Sequence, residues 1–231
     1  MLMLYVPKFK PIERRYRRLL KEPLQIDCEL STPAIVYQWV YFDGLLAFCV
    51  VDRYLQTELF NEEQAYFVPL PLEQRGSEHW YWAASVGLYE KAVWSRTMWR
   101  KDYRTWDGDD LGYGVIEFNY QMPMPALSIE RIRFFCVGNK HEVETLIQRI
   151  THVGKKRAYG YGAVKRWSVT VIDKDCSEIA NKTLVRPIPV SECRYRVIGE
   201  TGLHGYRPPY WCPENFTECW LPGGIVKDVS L

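Results

Sequence analysis

The feature that most constrains this chain is a strand, capped helix and strand read continuously from residue 130 to 172. ERIRFFCV at 130–137 sets Ile132, Phe134 and Cys136 on one side and Arg131 and Arg133 on the other, the period of a half-buried strand. Asn139 then stands as an N-cap with Glu142 three residues later, a capping-box spacing. Val143, Leu146, Ile147 and Ile150 follow the i, i+3, i+4, i+7 pattern of an amphipathic helix, which Gly154 is expected to end at the C′ position. VKRWSVTVI at 164–172 alternates again, with Trp167, Val169 and Val171 against Arg166, Ser168 and Thr170.

The rest of the chain completes the pattern. LQIDCEL at 24–30 alternates strictly, and Asp43 is placed as N-cap of GLLAFCVVDRYLQTELF, whose apolar first half predicts a helix pressed into a core. Residues 80–100 are rich in Trp, Tyr and Val with Gly87 breaking the run, which predicts one or two strands. The order strand, helix, two strands with an insertion, helix, strand is that of an α+β, ferredoxin-like (RRM-like) βαββαβ core, about 24–175. Residues 101–128, carrying DGDD, GYG and MPMP, read as the insertion, a hairpin around 111–120. From 185 the chain is Pro- and Gly-rich (RPIP, YRPPYWCP, LPGG) and is expected to drape over the core as an extended tail to 231, within a single domain. No internal repeat or low-complexity tract is present.

Composition bounds the function. At 47% hydrophobic and 15% aromatic residues the chain buries a sizeable core and is too apolar for disorder. Its longest charge-free apolar run, LLAFCVV at 45–51, falls far short of the roughly 20 residues that cross a bilayer. The N-terminal MLMLYVPKFKPIERRYRRLL puts charge after its short apolar piece, unlike an export signal. Seven cysteines, an odd number with several at core positions, fit free thiols in a reduced cytoplasm. Net charge is only +2, yet cations cluster at 14–21, at 96–104 and at 155–166 while acids gather elsewhere, as at 107–110, which favours a localised anionic partner.

The densest of these clusters is HVGKKRAYGYGAVKRW at 152–167, with three glycines, five Lys/Arg and two tyrosines. It is neither a P-loop, since Tyr161 follows Gly160, nor GxGxxG, and it follows a helix where a dinucleotide cradle precedes one. No cofactor is expected. Lys155, Lys156 and Arg157 complement the dipole of the helix end before them. Gly160 and Gly162 would let phosphates approach the backbone and its N–H groups, and Tyr159 and Tyr161 offer rings for unstacked bases. A clamp for single-stranded nucleic acid fits this composition; so does a plain helix-to-strand connection with lysines facing solvent.

GKKRAYGYGAV, entering a strand after a capped helix, resembles the glycine-rich loop of the repeat-associated mysterious proteins (RAMPs) of CRISPR systems, whose core is ferredoxin-like. YFDGLLAFCV at 41–50 looks like the family's first helix, and LVRPIPV at 184–190 follows the last core strand as in the family. YRPPYWCPENFTECWLP at 206–222 resembles the tail of the type IV effector subunit that holds the 5′ handle of the guide RNA. The resemblance implies a non-catalytic subunit that caps a ribonucleoprotein by gripping the crRNA, beside backbone RAMP subunits and a large subunit, with target DNA held nearby through guide pairing. It implies an RNA-binding set of Gly154, Lys155, Lys156, Arg157, Tyr159, Gly160, Tyr161, Gly162 and Lys165, joined by Arg96, Arg100, Tyr103 and Arg104 near the insertion. In related subunits the insertion is a thumb that presses between guide bases, which makes Trp99 and Trp106 further candidates; ordinary packing is the alternative for these aromatics. For Arg14 to Lys21 the readings are guide or subunit contact and a solvated amphipathic helix.

Some relatives cut RNA, so the alternative function is an endoribonuclease that processes precursor crRNA. His152, beside the loop lysines, is the best acid/base among His79, His141, His152 and His204, although a helix C-terminal histidine is the plainer reading. Cys193, His204, Cys212 and Cys219 form no CxxC or HxxxH pair, so no metal site is expected.

Overall fold

A computed structural model of the protein describes residues 6–36, 39–55, 66–90, 92–101 and 120–227. In chain order these form α1 (Lys10–Arg18), β1 (Glu22–Leu30), α2 (Phe42–Tyr54), β2 (Gln74–Arg75), β3 (Tyr81–Trp82), β4 (Leu88–Glu90), β5 (Val93–Lys101), β6 (Tyr120–Ser128), β7 (Arg131–Gly138), α3 (Lys140–Ile147) and β8 (Val164–Val171). The chain is thus mixed α and β. Strands β4, β7, β1 and β8 make one sheet in that order, each antiparallel to its neighbour.

Alternation explains the layering. Leu24, Ile26 and Cys28 of β1 and Ile132 and Phe134 of β7 are fully buried, and they join Phe42, Leu46 and Val50 of α2 and Val143, Leu146 and Ile147 of α3 in one apolar cluster. Each such side chain contributes roughly 1.5–3 kcal/mol when removed from water. Ile12 and Tyr16 of α1 enter the same cluster, so the N-terminal helix is amphipathic and docked, and Arg15 of its outer side pairs with the buried Glu142. The opposite face of the sheet is an ionic ladder. Arg133 meets Asp27 at 2.8 Å and Glu90 at 2.7 Å, while Glu29 takes Arg166 at 2.5 Å.

Two helix ends differ from the sequence reading. Asn139 does cap α3, its side-chain oxygen accepting the Glu142 N–H at 3.1 Å, but α3 stops at Ile147, well before Gly154. Ile150 stays buried just past the helix, which is why the periodicity ran on. At the other helix, α2 begins with Phe42 after Tyr41, and Asp43 lies inside the first turn rather than at the cap. Its buried carboxylate accepts from the Gly44 N–H at 2.9 Å and from Tyr210 OH at 2.7 Å, and Tyr210 stacks on Tyr41 at 3.8 Å between ring centroids. Burial pushes the Asp43 carboxyl up to about 6, against the opposing pull of Arg186 and the Tyr210 hydrogen bond. The FDGLLA and RPPYW segments are therefore one contact.

β5 and β6 pair from Val93 opposite Ser128 to Lys101 opposite Tyr120, so the inserted ribbon starts at Val93, earlier than residue 101. The segment joining its arms, with Tyr103, Arg104 and Trp106, lies outside the described residues. The tail is not a draped extension. It builds β9 (Ile179–Ala180), β10 (Thr183–Leu184), β11 (Ile188–Pro189), β12 (Arg196–Ile198), β13 (Thr201–Gly205), β14 (Phe216–Trp220) and β15 (Ile225–Lys227). These form two small antiparallel sheets, β12-β15-β10-β9 and β11-β14-β13, over a second apolar cluster of Tyr81, Leu184, Ile188, Val197, Tyr206, Cys219 and Val226. Arg186 bolts this unit to the core. Its buried guanidinium donates to the carbonyls of Trp82, Ala84 and Tyr206 and lies 4.5 Å from the Tyr81 ring centroid. All seven cysteines are free thiols.

Candidate nucleic-acid interface

The glycine-rich loop is held by residues 31–36 just after β1, a segment 120 to 131 residues away in sequence. Thr32 Oγ1 donates to Gly160 O at 2.7 Å and accepts the Ala163 N–H at 2.9 Å, and the Gly162 N–H donates to Pro33 O at 2.8 Å. The Lys155 N–H donates to Ile35 O at 2.9 Å. Both ends of the loop are thereby pinned, and residues 155–160 arch outward between them.

The three glycines serve different ends. Gly162, at φ +68°, is buried, and a Cβ there would overlap Val153 O. Gly154, at φ +93°, would place a Cβ 2.6 Å from Ile35 O. These two permit close packing of backbone on backbone. Gly160, at φ +82°, meets nothing within 4 Å and stands at the exposed crown. The expectation that glycine N–H groups face phosphate is corrected: the Gly160 N–H donates to Arg157 O and the Gly162 N–H to Pro33 O. What the crown presents is side-chain charge and a ring.

Those side chains divide in the same way. Lys155 and Arg157 are exposed, Lys156 Nζ lies 5.9 Å from the Tyr159 ring centroid, and Tyr159 is 65% exposed. Lys156 adopts φ +58°, a left-handed conformation rare outside glycine, ahead of one 3-10 turn over 157–159. Tyr161 turns the other way. Its ring packs on Ile35, Met124 and Ala126, and its hydroxyl shares a hydrogen bond with Thr97 Oγ1 at 3.0 Å, so it fastens the loop to the β5–β6 ribbon rather than offering a stacking face. Lys165, exposed on β8, shares a cleft of about 530 Å³ with Glu29, Glu90 and Glu130 on the ionic face.

On the ribbon, Arg96 is exposed and its neighbour Thr97 points to Tyr161, so strand alternation turns Arg96 to the face away from the glycine loop. Trp94 and Met98, flanking Arg96 on that outer face, are 55% and 57% exposed. Arg100 stands in β5 opposite Gln121, and Trp99 opposite Met122. The structure thus gathers the loop cations and Tyr159 at one place and sets Arg96 and Lys165 on other surfaces.

His152 does not end a helix. It bridges Ala163 beyond α3, with its Nδ1 3.0 Å from Thr151 Oγ1. Of the tail's candidate ligands, His204 places Nε2 3.3 Å from Tyr41 OH, and among the described residues no three His, Cys, Asp or Glu side chains converge as a metal site. Among the described residues no helix is long and apolar enough to cross a membrane. Sequence reading missed the cradle at 31–36 and the exposed Phe48 of α2, whose ring lies 5.5 Å from the Arg157 guanidinium. A phenylalanine inside an apolar helix carries no mark of facing outward.

No curated protein matches the chain. Among solved structures, the chain is similar to a chain of a type III-B Cmr-beta complex bound to cognate target RNA, at 9% identity and a TM-score of 0.38, over 71% of this chain. It spans about 65% of the length of that chain. Residues 113–222, just under half of the sequence, match the family described as CRISPR type IV associated protein Csf3. That stretch includes the capped helix, the glycine loop and most of the tail, and over it the resemblance to a type IV CRISPR-associated protein is borne out.

Proposed function

We propose that this chain is a non-catalytic guide-RNA-binding subunit of a type IV CRISPR effector, gripping the crRNA 5′ handle at one end of a ribonucleoprotein. The family match supports the CRISPR setting. The order β4-β7-β1-β8, with α2 between β1 and β4 and α3 between β7 and β8, supports reading the core as the ferredoxin-like split βαβ arrangement. Backbone RAMP subunits and a large subunit are the protein partners this reading implies.

One observation carries the RNA reading: an outward arch of Lys155, Lys156, Arg157 and Tyr159, pinned at both ends by backbone hydrogen bonds to Pro33 and Ile35. Cations on a fixed arch suit a phosphate chain, and an exposed ring beside them suits an unpaired base. The chain's small net charge makes a local grip the better account than a general basic coat.

The test is binding of a labelled single-stranded RNA of the repeat sequence across a salt series. Each phosphate contact adds about −0.7 to the slope of log K against log salt, so changing Lys155, Lys156 and Arg157 together to Ala is expected to flatten it by about 2. An unchanged slope and affinity would remove the loop from the interface. The same RNA incubated with the chain in chelator tests the endoribonuclease alternative: metal-independent cleavage that disappears in His152→Ala would replace the binder by an enzyme.

A further inference from the structure

A second cation cluster, on α1, plays no part in the arch or its cradle. Residues 8–21 hold seven of the 30 Lys/Arg and one of the 28 acids, so the remainder of the chain carries an excess of acid. Packing fixes which way these charges point. Ile12 and Tyr16 are buried in the main apolar cluster, with Phe9 just before the helix. At about 100° per residue, the arc opposite them belongs to Lys10, Arg14 and Arg18, all exposed and spaced i, i+4, i+8.

The shoulders of the helix are neutralised and this ridge is not. Arg15 pairs with the buried Glu142 of α3, Arg17 meets Glu13 at 2.6 Å, and Lys21 Nζ donates to the carbonyls of Tyr16 and Leu19. The side chains of Lys10, Arg14 and Arg18 have no acidic partner among the described residues. Like charges four residues apart oppose the helix that carries them, and Lys10 stands in the first turn, where the helix dipole disfavours a cation. The ridge therefore works against its own helix, and a polyanion laid along it removes that opposition.

Two features say which polyanion. The three cations follow one another at about 6 Å along the helix axis, a row that suits a continuous phosphate strand better than a single anion. The helix also exposes no ring, Phe9 and Tyr16 being buried, whereas sites for unpaired strands combine cations with stacking faces, as the arch does with Tyr159. We infer that α1 is a second nucleic-acid surface, on which Lys10, Arg14 and Arg18 track one phosphate strand of a duplex without reading its bases. It is separate from the arch: α1 meets α3 at Glu142 in the first turn, and the arch lies beyond the other end of that eight-residue helix, about 12 Å along its axis. The inference goes beyond the proposed function and does not depend on the arch holding RNA.

The test is fluorescence anisotropy of the full chain with a labelled duplex, as DNA and as RNA, and with the labelled single-stranded repeat RNA, each across a salt series. Lys10→Gln, Arg14→Gln and Arg18→Gln together are expected to weaken duplex binding about tenfold or more at moderate salt. At about 0.9 per phosphate contact, the slope of log K against log salt should flatten by about 2.7, while single-strand affinity stays within about twofold. The triple change of Lys155, Lys156 and Arg157 to Ala is expected to do the reverse. Circular dichroism and thermal unfolding check that the Gln variant keeps α1, whose loss of like charges should leave the melting temperature unchanged or higher. A Gln variant that binds both duplexes as the wild type does, or a wild-type chain that binds neither at low salt, overturns the inference, leaves the proposed function standing and turns the ridge toward an acidic protein face. Equal loss of duplex and single-strand affinity also overturns it, since the ridge would then extend the path of the arch. Duplex binding through α1 beside no single-strand binding upholds the inference and removes the proposed function.

Discussion

The two parts of the glycine-rich loop each hold one alanine, one tyrosine and one glycine, yet their surroundings are opposite. Residues 161–163 turn inward, with Gly162 buried against Val153 and Tyr161 bonded to Thr97. Residues 155–160 turn outward, with Tyr159 exposed and Gly160 surrounded by open space. The contrast teaches that a glycine or tyrosine in such a loop has no fixed meaning. A glycine whose absent Cβ makes room for a carbonyl is a packing residue, and one whose absent Cβ leaves open space is a site only if something external fills it.

The strongest way to break this contrast is Gly162→Ala. An alanine there combines a left-handed backbone at φ +68° with a methyl driven into Val153 O, which neighbouring backbone cannot yield without movement. Strain and overpacking of about 1–3 kcal/mol each put the expected loss at roughly 3–4 kcal/mol, read as the shift in a urea midpoint. A variant within about 1 kcal/mol of wild type would mean that the inner half is not packed as described. The Lys155, Lys156 and Arg157 triple change to Ala acts on the other half and comes next in size. Three lost phosphate contacts predict a fall in RNA affinity of ten- to a hundredfold at moderate salt, while the urea midpoint stays put because exposed substitutions rarely exceed about 0.5 kcal/mol. Loss of stability instead of affinity would reverse the assignment of the two halves.

Which parts of this were legible follows from how far apart the contacting residues stand. Strands β1, β7 and β8 and the Asn139 cap are written in periods of two and in a three-residue spacing, so they were readable. The end of α3 was not, because Ile150 remains buried after the helix stops and keeps the apolar rhythm going. The tail sheets escaped because strands of two to five residues among prolines and glycines are too short to show a period. Within the loop, the cation cluster was plain from composition. Its division into inner and outer halves was not, since that depends on Thr32, Pro33, Ile35 and Thr97, distant in sequence and themselves unremarkable.

Tyr161→Phe sharpens the comparison at lower cost. It removes only the hydroxyl that meets Thr97 Oγ1 at 3.0 Å and leaves the ring on Ile35, Met124 and Ala126. One hydrogen bond predicts about 1 kcal/mol of lost stability, with faster amide exchange along the β5–β6 ribbon and RNA affinity unchanged. A fall in affinity without loss of stability would show that the Tyr161 hydroxyl meets RNA and would move this residue to the outer half.

Gly160→Ala is the smallest change and the most discriminating. At φ +82° the new side chain carries left-handed strain of about 1–2 kcal/mol, and the reduced freedom of the unfolded chain offsets about 0.4–1 kcal/mol of it. With no atom within 4 Å of the added Cβ, nothing else in the protein opposes it, so stability should change by about 1 kcal/mol or less. The methyl would nonetheless stand on the crown, where an RNA backbone lying on the arch must pass. Affinity reduced several-fold beside near-wild-type stability places the phosphate chain against Gly160. Affinity unchanged places it to the side, along Lys155 and Lys156, and leaves Gly160 needed only for the turn it makes.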